Sequence, residues 1–239
     1  MKKALVACLI VFAFSAGIFA DFRADEKPVW NFYSPTAYTL KGGEWNLDLA
    51  GAITYGIGDF MQVGTNFWLW FPQFMNINAK INLLPEGDIV PALSVGGSFG
   101  QIGGGDNAFK KYNIDVIMSK TISKDMFISM GYNYAGNEFS GASSDFWNTI
   151  LDVFMGNRYR SAIVIDFTNA FAPFVRGTLQ ATVNIGEVIN YDAAAGVEFA
   201  IGDVFRLKVG LTDFIREPLT ADDMWNHFWP FIDLAWRIK

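Results

Sequence analysis

Cysteine is almost missing from the chain. The single residue, Cys8, lies within the first twenty positions, so a chain relieved of them has no disulfide and no thiol chemistry. Histidine is equally scarce, and His227 without cysteine partners excludes the usual zinc sites. Charged residues make up only 18% of the chain, the net charge is −6, and Lys and Arg nowhere cluster. Phosphate binding needs basic patches, so nucleic acid is not an expected partner. After the first twenty residues no run of about 18 uninterrupted apolar residues occurs, which excludes a helical membrane span there. What the chain does have is 51% hydrophobic and 16% aromatic residues, a composition that excludes disorder.

Residues 1–20 read as a signal peptide. Lys2 and Lys3 form its basic start, residues 4–14 its apolar centre, and residues 15–20 its small-residue exit, with cleavage expected after Ala20. Its removal takes two bases and no acid, moving the net charge from −6 to −8. The competing reading is a retained anchor, for which the apolar run is short against the roughly 20 residues a span needs. Leu5-Val6-Ala7-Cys8 resembles a lipoprotein cleavage box, but it sits too close to the start to leave an apolar centre before it. An exported chain with no spanning helix keeps one membrane option, a closed barrel, because only helices and closed barrels pair every backbone group inside lipid.

Val175–Ile185 shows the pattern that selects this option. Arg176, Thr178, Gln180, Thr182 and Asn184 alternate with Val175, Gly177, Leu179, Ala181, Val183 and Ile185, so a strand here has one polar and one apolar or small face. Eleven segments alternate in this way, at 45–55, 61–71, 76–83, 92–99, 112–119, 126–135, 159–168, 175–185, 189–199, 205–212 and 232–239. Single-chain barrels have even strand numbers. Residues 30–40, interrupted by Pro35, supply a weak first strand and make twelve, with ten as the alternative. Residues 21–239 thus form one domain, an all-β antiparallel transmembrane barrel. Connections sort by length: 56–59, 85–88, 123–125, 169–170 and 202–203 are short, while 100–111, 136–157 and 213–226 are long and fall at the other end. Short periplasmic turns and long outer loops are the barrel habit.

The apolar faces must meet lipid, because the reverse would put Arg176, Arg206 and Lys208 into hydrocarbon at roughly 2–4 kcal/mol each. Aromatics such as Tyr55, Phe71, Tyr112, Tyr134, Tyr159 and Phe199 suit interfacial girdles. The interior then carries the acids Asp48, Asp115, Asp166, Asp192, Glu198 and Asp233 and the bases Lys80, Arg160, Arg176, Arg206, Lys208 and Arg237. Six against six admits two readings. One is an ion-paired interior that supports the wall, since buried charge must pair. The other is a narrow water-filled pore without strong charge preference, since selectivity needs a ring of one sign.

Within 136–157, Phe146, Ile150 and Phe154 recur every fourth residue beside Trp147 and Leu151, between a capping Ser143 or Ser144 and Gly156. This predicts an amphipathic helix over 144–155, either resting on the rim or dipping into the lumen as a lid. Trp68 and Trp70 face the inferred lumen near its outer end. They leave room for an apolar ligand, or cover that helix. His227 sits among Trp225, Phe228 and Trp229, and no local serine motif marks a partner for it. Gly103-Gly104-Gly105 lacks the Lys and Ser/Thr of a phosphate loop. Glu217, Asp222 and Asp223 match no calcium-loop spacing.

Pro35-Thr36-Ala37-Tyr38-Thr39-Leu40-Lys41-Gly42-Gly43-Glu44 resembles the P-T-A-x-x-L-x-x-G-E segment found near the mature N-terminus of uncharacterised bacterial outer-membrane barrel families. The stretch 55–64, Y-G-I-G-D-F-M-Q-V-G, is similar to a strand–turn–strand of the same families. The resemblance implies fold and outer-membrane location and no activity. The expectation is therefore a non-enzymatic barrel without cofactor, bathed in outer-membrane lipid and passing small solutes. The alternatives are a structural or surface-interaction barrel, and a lipid-modifying enzyme using His227.

Overall fold

The computed structural model describes residues 21–22, 26–29, 35–49, 52–67, 75–104, 107–140, 159–185, 190–213 and 228–238. Twelve strands are described: β1 (Trp45–Asp48), β2 (Ala52–Ile57), β3 (Met61–Asn66), β4 (Met75–Leu84), β5 (Ala92–Gly104), β6 (Asn107–Ser123), β7 (Met126–Ser140), β8 (Tyr159–Ala172), β9 (Val175–Ile185), β10 (Asn190–Ile201), β11 (Phe205–Asp213) and β12 (Phe228–Ile238). Each pairs antiparallel with its neighbours in sequence, and β1 closes the cylinder against β12 from Trp45↔Ile238 to Asp48↔Ala235.

The two-residue rhythm separates the two surfaces. Ile77, Ile81, Ile114, Val116, Met130, Ile163, Ile165 and Leu179 are exposed on the outside. Their inward neighbours Lys80, Asp115, Ser129, Val164, Asp166 and Gln180 are buried. An apolar exterior this extensive is a lipid-facing surface. Aromatics flank it in pairs: Trp45 with Tyr55 and Phe205 with Trp236 toward one end, Tyr112 with Tyr134 toward the other.

The twelfth strand does not come from residues 30–40. Among these, 35–40 are described, and they join no ladder of the barrel wall beyond an isolated bridge at Pro35. Instead the stretch 45–55 folds into the hairpin β1–β2, with Trp45↔Tyr55, Asn46↔Thr54 and Leu47↔Ile53 opposite each other. The Asp48 carboxylate helps turn the chain by accepting the Ala52 N–H at 2.8 Å. A hairpin centred on residue 50 pairs odd positions with odd, so the alternation runs through it unbroken and periodicity cannot reveal it.

Two connections also differ from expectation. The glycine-rich 100–111 is not a loop: β5 and β6 stay in register up to Gly104↔Asn107, forming a tall hairpin. Residues 169–170 belong to β8, and the turn comes at 173–174. One end of the barrel accordingly carries the short connections 58–60, 85–91, 124–125, 173–174 and 202–204. The other carries 141–158 and 214–227. The helix expected over 144–155, with Phe146, Trp147, Ile150, Leu151 and Phe154, lies outside the described residues, as do Trp68, Trp70 and His227.

The described parts of residues 21–44 lie inside the cylinder toward its short-turn end. Glu26, Pro28, Val29, Pro35, Thr36, Ala37, Tyr38, Leu40 and Glu44 are all buried. The fit of this segment depends on a small residue in the wall. A Cβ on Gly56 would stand 2.1 Å from the Lys41 carbonyl oxygen and 3.0 Å from the Leu40 Cβ. Here the backbones also clasp, Gly43 N–H to the Gly56 carbonyl and Gly56 N–H to the Glu44 carbonyl, at 2.9 and 2.8 Å. Gly56→Ala is expected to loosen the segment and destabilise the fold by about 1–3 kcal/mol, the usual cost of overpacking. Denaturant unfolding in detergent checks it, and an unchanged midpoint would show that the close approach is dispensable.

Candidate functional site in the lumen

The inward face is divided lengthwise. From β2 to β7 it presents mainly amides and hydroxyls, including Thr54, Gln62, Asn78, Ser94, Ser98 and Asn113, with Lys80 and Asp115 as buried charges among them. From β9 to β12 it presents charge. Arg176, Glu198, Lys208 and Asp233 stand at one level on four consecutive strands, each opposite the next in the ladders, so their signs alternate around the wall. Below them, Arg206 lies opposite Ala200 and Ala235, and Arg237 opposite Asn46.

The N-terminal segment supplies the anions that these two arginines face. Arg206 grips Glu26 with both arms of its fork, Nε to Oε1 at 2.8 Å and Nη2 to Oε2 at 2.6 Å. Arg237 reaches Glu26 Oε1 at 3.2 Å and Glu44 Oε2 at 3.5 Å. Arg176 donates to the Glu26 backbone carbonyl and lies 3.8 Å from the Phe22 ring centre, a cation–π contact. Burial pushes the Glu26 carboxyl up, but the Arg206 hydrogen bond and the charges of Arg237, Arg206 and Arg176 outweigh it and bring the carboxyl down to about 2.

A second clasp holds the opposite side. Glu86, in the β4–β5 connection, pairs with Lys27 and with Lys120 and accepts the Thr121 N–H at 2.6 Å and the Tyr38 hydroxyl at 3.1 Å. Burial pushes the Glu86 carboxyl up, but Lys27, Thr121 and Lys120 outweigh this and hold it at about 2. Between the clasps Lys80 donates to the carbonyls of Val29, Thr36 and Tyr38. Leu40 N–H donates to Gln62 Oε1 at 3.0 Å and Ala37 N–H to Ser119 Oγ at 2.7 Å. A small apolar cluster completes the seat, with Ala37 and Tyr38 against Ala92, Ile117 and Phe127.

Of the twelve charges expected in the lumen, Lys80, Arg206 and Arg237 hold the segment directly through their side chains, and so does Arg176. Asp48, Glu198, Lys208 and Asp233 line a cavity of about 460 Å³ together with the three arginines. Asp115 accepts from Asn113 and Asn133 and borders a second cavity of about 270 Å³. Asp166 is buried level with Ser129 and Gln180, and Asp192 accepts from Asn184 at 2.6 Å. Arg160 lies opposite Ala135 in the β7–β8 ladder, and its side chain lies outside the described residues.

Glu26, Glu44, Glu86 and Phe22 were not expected at the site. A signal for the segment does exist in the sequence: Ile117, Phe127 and Val164 are apolar residues in inward positions, and the first two mark where Ala37 and Tyr38 press against the wall.

Both clasp carboxyls have depressed pKa values, so each stabilises the docked segment fully above the ordinary value of 4.5 and loses that contribution as pH falls toward 2. Docking is therefore expected to be constant from pH 7 to 5 and to weaken between about 4.5 and 2. An environment-sensitive fluorophore at Thr39→Cys reads this, and a signal flat down to pH 2 would show that the clasps contribute nothing to docking.

No family model and no curated protein matches the chain. Among solved structures it is similar to the KdgM porin in complex with disordered oligogalacturonate, with a TM-score of 0.43 and 6% identity over 82% of this chain and 94% of that one. It is also similar to the KdgM porin alone, with a TM-score of 0.41 and 6% identity over the same shares. The outer-membrane expressed OmpT of Vibrio cholerae gives a TM-score of 0.42 and 13% identity, over 92% of this chain and 72% of that one.

Proposed function

We propose that the protein is a non-enzymatic barrel of the bacterial outer membrane, exported by residues 1–20, that passes small polar solutes when its own N-terminal segment yields. The supporting observation is the way the lumen is closed. A backbone segment shuts one mouth through hydrogen bonds and ion pairs, beneath two cavities of about 460 and 270 Å³ bordered by polar side chains. Cavities of this size suit small solutes. Polar contacts of this kind can be exchanged for water, so the closure is reversible in principle. The second reading is a surface-structural barrel whose interior stays sealed, favoured by the full burial of Glu26 between Arg206 and Arg237.

Locking the segment separates the two. With Cys8 confined to the leader, Ala37→Cys and Ser119→Cys introduce the only thiols, at a place where backbone and side chain already meet at 2.7 Å. Reconstituted in planar bilayers, the oxidised pair is expected to be silent and the reduced pair to open intermittently. Equal silence in the oxidised, reduced and parent proteins would favour the sealed structural barrel.

A further inference from the structure

We infer that Arg206 and Arg237, with Arg176 beside them, form a binding site for the carboxylate group of a passing solute, and that Glu26 of the chain occupies it in the closed state. This rests on the reading that the segment can yield. The geometry carries it in three steps. First, the fork of Arg206 meets both oxygens of one carboxylate, at 2.8 and 2.6 Å, and Arg237 adds a contact to the same group at 3.2 Å. Two guanidinium groups converging on one carboxylate recognise the group itself, since a fork matches its paired oxygens. Second, the wall places no acid directly opposite either arginine. Arg206 faces Ala200 and Ala235, and Arg237 faces Asn46, whereas Arg176 and Lys208 each have a wall acid opposite. The carboxylates in direct contact with these two arginines among the described residues, Glu26 and Glu44, come from the entering segment and the residue just before β1, while Glu198 and Asp203 act on Arg206 through their charge alone. Third, all three arginines also line the 460 Å³ cavity, so that cavity adjoins the residues that hold Glu26.

A solute carboxylate and Glu26 therefore compete for one seat. No bond is made or broken, and the exchange trades one charge-assisted pair for another. Solutes with a carboxylate gain this exchange, and neutral solutes of the same size do not.

Gluconate and glucose make the comparison, since they share a carbon skeleton and differ in the carboxylate. Saturation-transfer NMR on the full mature chain in detergent micelles, in low-chloride buffer, measures binding without requiring flux. Glu26→Ala vacates the seat without touching the wall and is expected to bind gluconate roughly ten-fold more tightly than the parent, with glucose binding to neither. Adding Arg206→Lys keeps the charge, and so the fold, but removes the fork; it is expected to cost most of that gain. Absence of saturable gluconate binding by Glu26→Ala would overturn the proposal, as would equal binding with Arg206→Lys present. Either result leaves the gating reading to its own conductance test. Conversely, gluconate binding in a protein that never conducts would uphold the site and refute the gate.

Discussion

Closure of the sheet is the constraint on which everything else rests. Inside hydrocarbon every backbone N–H and C=O must find a partner, and a sheet achieves this only by returning to its first strand. That strand, β1, is four residues long. It makes the seam between β2 and β12, and it directly continues the segment that fills the lumen. Glu44, the residue before β1, reaches Arg237 of β12 at 3.5 Å, so an ion pair spans the seam. The tie has a mechanical consequence. The end of the segment near residues 43–44 is held by paired backbone bonds to Gly56, and Gly43 supplies the sharp bend with φ of 84°. Upstream of that bend the chain carries Phe22, Glu26, Lys27 and Thr36, the groups that grip the far sides of the lumen.

The wall is shaped to receive a backbone and not merely to be filled by side chains. Side chains alone fill barrels of about eight strands, and twelve strands enclose a wider interior. Here small residues sit on inward positions where the segment passes: Gly56 beside Lys41, Ala92 beside Ala37, Ser119 under the Ala37 N–H. The entering segment fits the same picture at 35–44. Pro35, Thr36, Ala37, Tyr38, Leu40 and Glu44 are buried against the wall, while Thr39 and Lys41 between them are only half-buried.

The wall was legible in the sequence and the content of the lumen was not, for one physical reason. A two-residue rhythm reports on which of two faces a residue occupies, so it found the lipid side and the polar side wherever a strand crosses the bilayer. It is blind to a hairpin that preserves parity, which hid the β1–β2 turn within 45–55. It is also blind to a segment with no repeat of its own. The partners of Glu26 lie 180 and 211 positions away along the chain, at Arg206 and Arg237, and no local pattern encodes them. Counting charges pointed away from the answer. Six acids against six bases looked self-sufficient, yet Arg206 and Arg237 stand opposite no acid of the wall and meet the carboxylates of Glu26 and Glu44 instead. The useful irregularity was smaller: Ile117 and Phe127 are apolar where the rhythm calls for polar, and both touch the entering segment.

Whether so buried a clasp can open depends on what replaces it. Breaking an ion pair in a dry core leaves bare charge and costs several kcal/mol per group. The lumen differs, because a cavity borders the same arginines and gives water a place beside the carboxylate. The relevant quantity is then the exchange of one set of hydrogen bonds for another, about 0.5–1.5 kcal/mol for a neutral bond and 1.5–3 for one to a charged group. The apolar part of the seat is small, with Ala37, Tyr38 and Leu40 its main burial. Two clasps, the three carbonyls on Lys80 and this modest core sum to the docking energy of the segment. Because its largest contributions are charge-assisted, the same sum is the one that a competing anion, or protonation of the two glutamates, reduces most directly.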